Sequence, residues 1–279
     1  MGVVHMNLMV IDETKCRHDG ICASECPLSL INQPDKNNLP SERETAEELC
    51  IRCGHCVAVC PHGALSLRSM SPKDCLPHED DLRPSTEQAK YFLQSRRSIR
   101  VYRDKPVNRK TIAKIIDIAR YAPSGHNNQL VEWLVIYDKK DVQNYVSMVI
   151  DWLRFMIKEY PEMAADFHMD LLVKAWEDGN DRVCRNAPHI IIAHGPEQNM
   201  MIQNTCTIAM TYLELAASSM HLGACWAGYF NRAAANWPPL KQALGFPEGN
   251  SAFGAMMLGH PKYKYHRIPL RNEAKIIWK

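Results

Sequence analysis

The chain has 279 residues, of which 46% are hydrophobic and 23% charged, with 13 Gly and 17 Pro. That balance excludes a collagen-like, coiled-coil or disordered chain and leaves room for one large domain or two modest ones. A formal charge of +2 is too even to indicate a nucleic-acid partner.

No run of 18 or more apolar residues exists, so no membrane span is expected. The opening MGVVHMNLMV lacks a basic n-region and is interrupted by His5 and Asn7, against a signal peptide. Met6 stands where myristoylation after Gly2 needs Ser or Thr. The expectation is a cytoplasmic protein. Eleven cysteines are many for that compartment unless most have a task. Seven fall between Cys16 and Cys60, whereas Cys75, Cys184, Cys206 and Cys225 are scattered singly. Such clustering marks a metal domain.

Apolar stretches at Leu8 to Ile11, Leu28 to Ile31 and Ala64 to Leu67 fit short strands. Between them runs Cys50-Ile-Arg-Cys53-Gly-His-Cys56-Val-Ala-Val-Cys60-Pro61. This is the C-x2-C-x2-C-x3-C-P spacing in which three thiolates hold one iron–sulfur cube and the fourth reaches a second. A structural zinc site is the alternative, though four-cysteine zinc modules generally pair two separated C-x2-C knuckles. Shifted back by 34 residues, Cys50, Cys56, Cys60 and Pro61 fall on Cys16, Cys22, Cys26 and Pro27. The segment is an internal repeat whose copies exchange their fourth cysteines. Cluster one therefore has Cys16, Cys22 and Cys60, and cluster two has Cys50, Cys53, Cys56 and Cys26. Asp19 stands where Cys53 predicts a fourth thiolate for cluster one. It has three readings: a hard oxygen ligand to the fourth iron, the empty corner of a 3Fe-4S cluster, or a solvated loop residue beside a non-protein ligand. His18 is a neighbouring alternative ligand or a solvent-facing loop residue.

Over about residues 5 to 70 these features resemble the bacterial two-cluster ferredoxins. The resemblance implies a βαββαβ domain, assigned to residues 1–70, with two 4Fe-4S clusters.

Residues 68–84, RSMSPKDCLPHEDDLRP, are polar, contain three prolines and read as a linker, the boundary being drawn at 71–84. Ser85-x-x-Gln88 is a capping box opening a helix through Tyr91 and Phe92. In the following Arg96-Arg97-Ser98-Ile99-Arg100, an extended backbone would place Arg96, Ser98 and Arg100 on one face as a phosphate clamp. Asn108 starts a helix with Ile112, Ile115, Ile116 and Ala119 on its buried side. The loop Ala122-Pro-Ser124-Gly-His-Asn127-Asn-Gln129 carries amides suited to the edge of a heteroaromatic ring, or forms an ordinary Asn/Gly turn, before a strand Val131 to Tyr137. Arg185-Asn-Ala-Pro-His189 leads into a strand Ile190 to Ala193, and a helix spans Thr205 to Met220. Then follow Cys225-Trp-Ala227-Gly228-Tyr-Phe230 and Met257-Leu-Gly-His-Pro261.

From about residue 88 to 272 this order of motifs resembles the nitroreductase superfamily of FMN enzymes. The resemblance implies an α+β sandwich over residues 85–279, acting as a homodimer with FMN at the subunit interface. It also implies that Arg96, Ser98 and Arg100, with Arg97 beside them, meet the FMN phosphate and ribityl chain. Ser124, Asn127 and Gln129 would bind ribityl and ring, Ala227 and Gly228 would offer N–H groups near flavin N5 and O4, and Arg267 would be a second phosphate contact. Leu130 and Tyr265 depart from the pattern, standing where relatives have Pro and Lys. Trp226 and Tyr229 either shape a substrate pocket or fill core. Cys184, Cys206 and Cys225 read as small buried hydrophobes.

The chain shows no nucleophile constellation and no G-x-G-x-x-G dinucleotide loop; in a flavoenzyme the cofactor carries the redox chemistry. The expected activity is an oxidoreductase. It would pass electrons from ferredoxin or NAD(P)H through two clusters to FMN and on to an organic acceptor such as a nitroaromatic, quinone or activated alkene. The alternatives are an NAD(P)H nitro- or quinone reductase whose clusters are an outlet, and a non-catalytic redox sensor or flavin carrier. Neither nucleic acid nor membrane is an expected partner.

Overall fold

The computed structural model describes residues 7–279; Gly2 to Met6, on which the signal-peptide and myristoylation readings rest, lie outside the described residues. The chain divides into two compact units, one holding the residues up to Arg83 together with His126–Asn128, the other Pro84–Gly125 and Gln129–Lys279. Among the described residues no helix is long and apolar enough to cross a membrane.

In the first unit the order is β1 (Met9–Ile11), α1 (Ile21–Glu25), β2 (Ile31–Asn32), β3 (Ser41–Glu42), α2 (Ala46–Leu49), α3 (His55–Ala58) and β4 (Leu65–Leu67). β1 pairs antiparallel with β4, and β2 with β3. The 34-residue repeat is written into the backbone as well as the cysteines. Left-handed residues recur at His18 and Arg52, Gly20 and Gly54, and Ser29 and Gly63. Gly20 and Gly54 open α1 and α3 at φ 71° and 74°, a conformation that costs glycine nothing sterically. A Cβ on Gly54 would come within 2.6 Å of Met70 Sδ. Residues 71–83, polar enough to read as a linker, contain two 3₁₀ turns, Pro72–Asp74 and Asp80–Leu82.

The second unit contains α4 (Thr86–Ser95), α5 (Arg109–Ala119), β5 (Glu132–Ile136), α6 (Lys139–Glu159), α7 (Pro161–Asp166), α8 (Met169–Glu177), β6 (His189–Pro196), α9 (Ile202–Ser219), β7 (Gly223–Trp226), α10 (Gly228–Asn236), α11 (Pro238–Leu244) and β8 (Asn250–Gly259). Both predicted helix starts form as read: Gln88 N–H donates to Ser85 Oγ while Ser85 N–H donates to Gln88 Oε1, and Lys110 N–H donates to Asn108 Oδ1. The strands make one antiparallel sheet in the order β5-β6-β8-β7. β6 is central and covered on both faces, which is why it reads as a continuous apolar run instead of an alternating one. Ile190 and Ile192 pack with Val149, Leu153 and Phe230 on one side; Ile191 and Ala193 pack with Ile115, Met210 and Leu213 on the other. Helices therefore clothe both sheet faces, an α+β sandwich.

His189 at the head of β6 is fully buried. Its Nε2 accepts from Val107 N–H at 2.8 Å, so the proton sits on Nδ1, which donates to Tyr137 O at 2.6 Å. Burial pushes its pKa below the ordinary histidine value, as it does for His194 in the same strand. A depressed histidine binds fewer protons folded than unfolded, so stability is complete above about pH 6.5 and is lost as pH falls through the folded pKa. Denaturant unfolding between pH 7 and pH 5 is expected to show this loss, up to about 1.4 kcal/mol per pH unit for each histidine. His189→Gln reduces the slope; an unchanged slope in that variant would remove His189 from the account.

Candidate functional site

In the first unit, burial raises the Cys22 thiol pKa, and the charges of Cys60, Asp19 and Cys16 raise it further. Burial likewise pushes Cys56 to about 11, with Cys53, Cys50 and Cys26 adding to it. The electrostatic neighbours of these two thiols are the members of the two predicted quartets, fourth cysteines exchanged. Cys26, Cys50, Cys53 and Cys56 also line a single apolar-walled cavity. Among the described residues no three His, Cys, Asp or Glu side chains are placed to hold one metal ion; a lone zinc needs its sulfurs drawn to about 2.3 Å from one point. Leu30 N–H donates to Cys26 Sγ at 3.3 Å and Ala64 N–H to Cys60 Sγ at 3.4 Å. These two bonds occupy equivalent places in the repeat, and amide donors of this kind favour the thiolate and tune cluster potential.

Asp19 Oδ1 accepts Ile21 N–H at 3.1 Å. His18 is turned to another loop, its Nδ1 lying 2.8 Å from Asp35 O and 3.1 Å from Asn38 O. Asn127 Nδ2 donates to Ile51 O and Arg52 O at 3.3 and 3.1 Å.

In the second unit, Ile99 N–H donates to Ala224 O at 2.9 Å, laying the Arg96–Arg100 segment beside β7. Gly223 permits this approach, because a Cβ there would meet Ile99 at 2.7 Å. The shared face read for Arg96, Ser98 and Arg100 does not form. Arg96 caps the C-terminus of α4, so strand alternation does not apply to it. Its guanidinium meets Glu214 at 2.7 Å and, with Arg97, lines a cavity of about 670 Å³. Arg100 lines a different cavity of about 300 Å³ with Cys225, Trp226, Gly228 and Met257. Burial raises the pKa of the Cys225 thiol, and Arg100, Arg185 and Ser98 oppose the rise.

Ala227 corrects the sequence reading. Its N–H donates to Ala255 O at 2.8 Å, because the β7–β8 pairing runs one residue past Trp226. The first helical bond of α10 runs from Asn231 N to Ala227 O, so the amides of Gly228, Tyr229 and Phe230 have no partner within the helix. A Cβ on Gly228 would meet nothing within 4 Å, and Gly228 and Tyr229 line the cavity that Arg100 lines. Ser124 Oγ accepts Gln129 N–H at 3.0 Å and closes its own loop, in which His126, Asn127 and Gln129 have positive φ. Arg267 is exposed in the segment after β8. Glu214, Arg182, Arg185 and Arg232 are site-lining residues that spacing did not single out as such; Arg232 follows Gly228 by one helical turn, the one local signal available.

Clustered cysteines in one unit and a helix-clad sheet sandwich with arginine-lined cavities in the other lead to a class, the cofactor-dependent oxidoreductases. The nitroreductase family's sequence model matches residues 93–260, and that of a 4Fe-4S dicluster domain matches residues 14–65. The chain belongs to the nitroreductase family and carries an N-terminal 4Fe-4S dicluster domain. A protein of Archaeoglobus fulgidus named "Putative NADH dehydrogenase/NAD(P)H nitroreductase" is 27% identical over 176 residues, 63% of this chain and 87% of that protein. A nitroreductase with bound FMN from Bacteroides fragilis superposes with a TM-score of 0.57 at 19% identity, covering 70% of this chain and 100% of that one. Another with bound FMN, from Desulfitobacterium hafniense, gives 0.56 at 22% identity over 70% and 99%. These two structures share the fold.

Glu214 is 8% exposed, and burial raises its pKa against the pull of Arg96. Arg96→Ala leaves that carboxylate unpaired and is expected to lower stability by about 1–3 kcal/mol. Adding Glu214→Gln restores most of the loss in denaturant unfolding. Additive losses would mean that the pair carries no coupling.

Proposed function

We propose that this protein takes electrons from an external donor, ferredoxin or NAD(P)H, and delivers them to an organic acceptor such as a nitroaromatic, quinone or activated alkene, with two iron–sulfur clusters and FMN as its carriers. The observation that carries the reading is the pair of exchanged quartets, Cys16, Asp19, Cys22 and Cys60 beside Cys50, Cys53, Cys56 and Cys26, joined in one chain to a nitroreductase domain. Soft thiolates suit iron–sulfur clusters, and Asp19 is proposed as the oxygen ligand completing cluster one. Bound clusters supply one-electron transfer, and bound FMN supplies the step between one- and two-electron chemistry.

For FMN, we assign Arg100 and Ser98, which lie beside Cys225, and the amides of Gly228 and Tyr229, donors of the kind that stabilise negative charge on a reduced ring. Arg96 and Arg97, Ser124, Asn127 and Gln129, and Arg267 are retained as phosphate, ribityl and ring contacts in a proposed homodimer, where parts of the site come from the second copy. The open space at Gly228 and the unpaired amides fit a planar polar ring edge. The proposed division is a cluster domain at 1–70, a linker at 71–84 and a flavin domain at 85–279, in a cytoplasmic protein.

Anaerobic purification with iron, sulfide and flavin quantitation and EPR tests this. About eight irons and one FMN per chain are expected, with cluster one changing its EPR signature in Asp19→Cys. About seven irons would place a 3Fe-4S cluster at Asp19, and protein without flavin or with a single zinc would contradict the proposal.

A further inference from the structure

The two copies of the cysteine repeat are fastened by different parts of the chain. In the first copy His18 is left-handed at φ 58°, and its Nδ1 donates to Asp35 O and Asn38 O at 2.8 and 3.1 Å. The receiving turn is closed by the Asp35 carboxylate, which accepts from Asn37 N–H at 2.7 Å and from Asn38 N–H and Nδ2 at 2.8 Å. Gln33 lies over Gly20. Among the described residues, the hydrogen bonds of the loop from Cys16 to Gly20 reach no further along the chain than Asn38.

In the second copy the counterpart of His18 is Arg52, again left-handed at φ 50°. The counterpart of the 35–38 turn, residues 69–72, supplies Met70, which lies over Gly54. Fastening of the loop passes to Asn127, 75 residues beyond Arg52. Its Nδ2 donates to Ile51 O at 3.3 Å and Arg52 O at 3.1 Å, the carbonyls of the two residues between Cys50 and Cys53.

His126–Asn128 count with the first unit, whereas Gly125 and Gln129 count with the second. Ser124 Oγ accepts Gln129 N–H at 3.0 Å across the base of this tip, and His126 and Asn127 are left-handed at φ 51° and 53°. Such conformations in residues other than glycine persist where the surroundings hold them. Two residues of chain span at most about 7 Å. The side chain that fastens the Cys50–Cys53 loop therefore belongs to a residue tied that closely to Gln129, a proposed flavin contact.

From this asymmetry we infer that Asn127 is the positioning residue of the outlet: electrons enter at cluster one and leave for the flavin by cluster two. The inference deepens the proposed reading and rests on it. Reduced cluster two gives up one electron at a time and is refilled by cluster one, which a one-electron donor such as reduced ferredoxin reloads. Two such transfers, with two protons from solvent, reduce one FMN. The Asn127 amide holds the backbone between two ligands of cluster two, and hydrogen bonds behind the ligands set both the position and the potential of such a centre.

EPR-monitored redox titration of the full-length, cofactor-loaded protein, paired with rapid mixing against reduced ferredoxin, tests this. The signal that Asp19→Cys alters identifies cluster one. Asn127→Asp keeps the side chain's shape, removes the donor and sets a negative charge beside the Cys50–Cys53 loop, which disfavours an added electron there. It is expected to lower the potential of cluster two, to leave that of cluster one in place, and to slow flavin bleaching about tenfold, the equivalent of one lost hydrogen bond. Asn127→Gln, which keeps an amide donor, stays closer to the parent in both readouts. An Asn127→Asp variant that moves the potential of cluster one instead, or of neither cluster, would overturn the inference. Loss of flavin with both potentials unmoved would do so too, leaving Asn127 as a flavin contact alone. Flavin reduction in the parent at a rate that Asn127→Asp does not change sinks this inference and leaves the reductase reading standing; clusters that ferredoxin reduces in a parent whose flavin never follows sink the reductase reading itself.

Discussion

Four thiolates brought to one place repel one another, and either protonation or a cationic centre among them removes that cost. This constraint governs the first unit. Its apolar core is small, eleven buried residues among those described, such as Leu8, Leu30, Val57, Leu65 and Leu67, and Cys22 and Cys56 are members of it. Below about 70–80 residues such a core alone supplies only a few kcal/mol, and metal binding in small domains of this kind is folding free energy. Buried thiols with raised pKa values, Cys56 near 11, must lose their protons as metal enters, so assembly of this unit is coupled to metal and to pH. The left-handed glycines and the paired N–H···S bonds prepare the backbone for that event twice over.

The second unit solves a different problem. Its large core holds β6 and β8 rigidly, and that rigidity is exported to the end of β7. There the β7–β8 ladder consumes the Ala227 amide and α10 begins immediately. Gly228 and Tyr229, in the first turn of α10, line one cavity with Arg100 and Cys225. Rigid strands set the position of the corner; Phe167 and the 181–186 loop line the cavity beside it. The same scaffold can therefore serve many acceptors with changes confined to those loops.

How much of this was legible in the sequence depended on whether the relevant geometry is local. Cysteine spacing and the 34-residue repeat are local, so a 4Fe-4S dicluster domain was legible before any fold was known, and the two quartets with Cys26 and Cys60 exchanged stand as the proposal drawn from that spacing. Capping at Ser85 and Asn108 and the continuous apolar run of β6 were readable for the same reason. The common face of Arg96, Ser98 and Arg100 was not, because it presumed a strand where Arg96 is still a helix cap. Nor was the Arg96–Glu214 pair, whose members are 118 residues apart. Ala227 was misjudged through one extra residue of strand pairing, which no composition rule reports. Arg182, Arg185 and Arg232 escaped as cavity-lining residues because a turn and a helix converge there from different parts of the chain.

Rapid mixing of the oxidised, cofactor-loaded protein under anaerobic conditions, followed at many wavelengths, tests the central claim most directly. With reduced ferredoxin as donor, cluster absorbance is expected to bleach before the flavin band, and both are expected to recover when an organic acceptor is added. Rapid flavin bleaching by NADH alone, ahead of any change in the clusters, would contradict a ferredoxin-first order. A flavin band that never changes while the clusters are reduced would contradict the account as a whole.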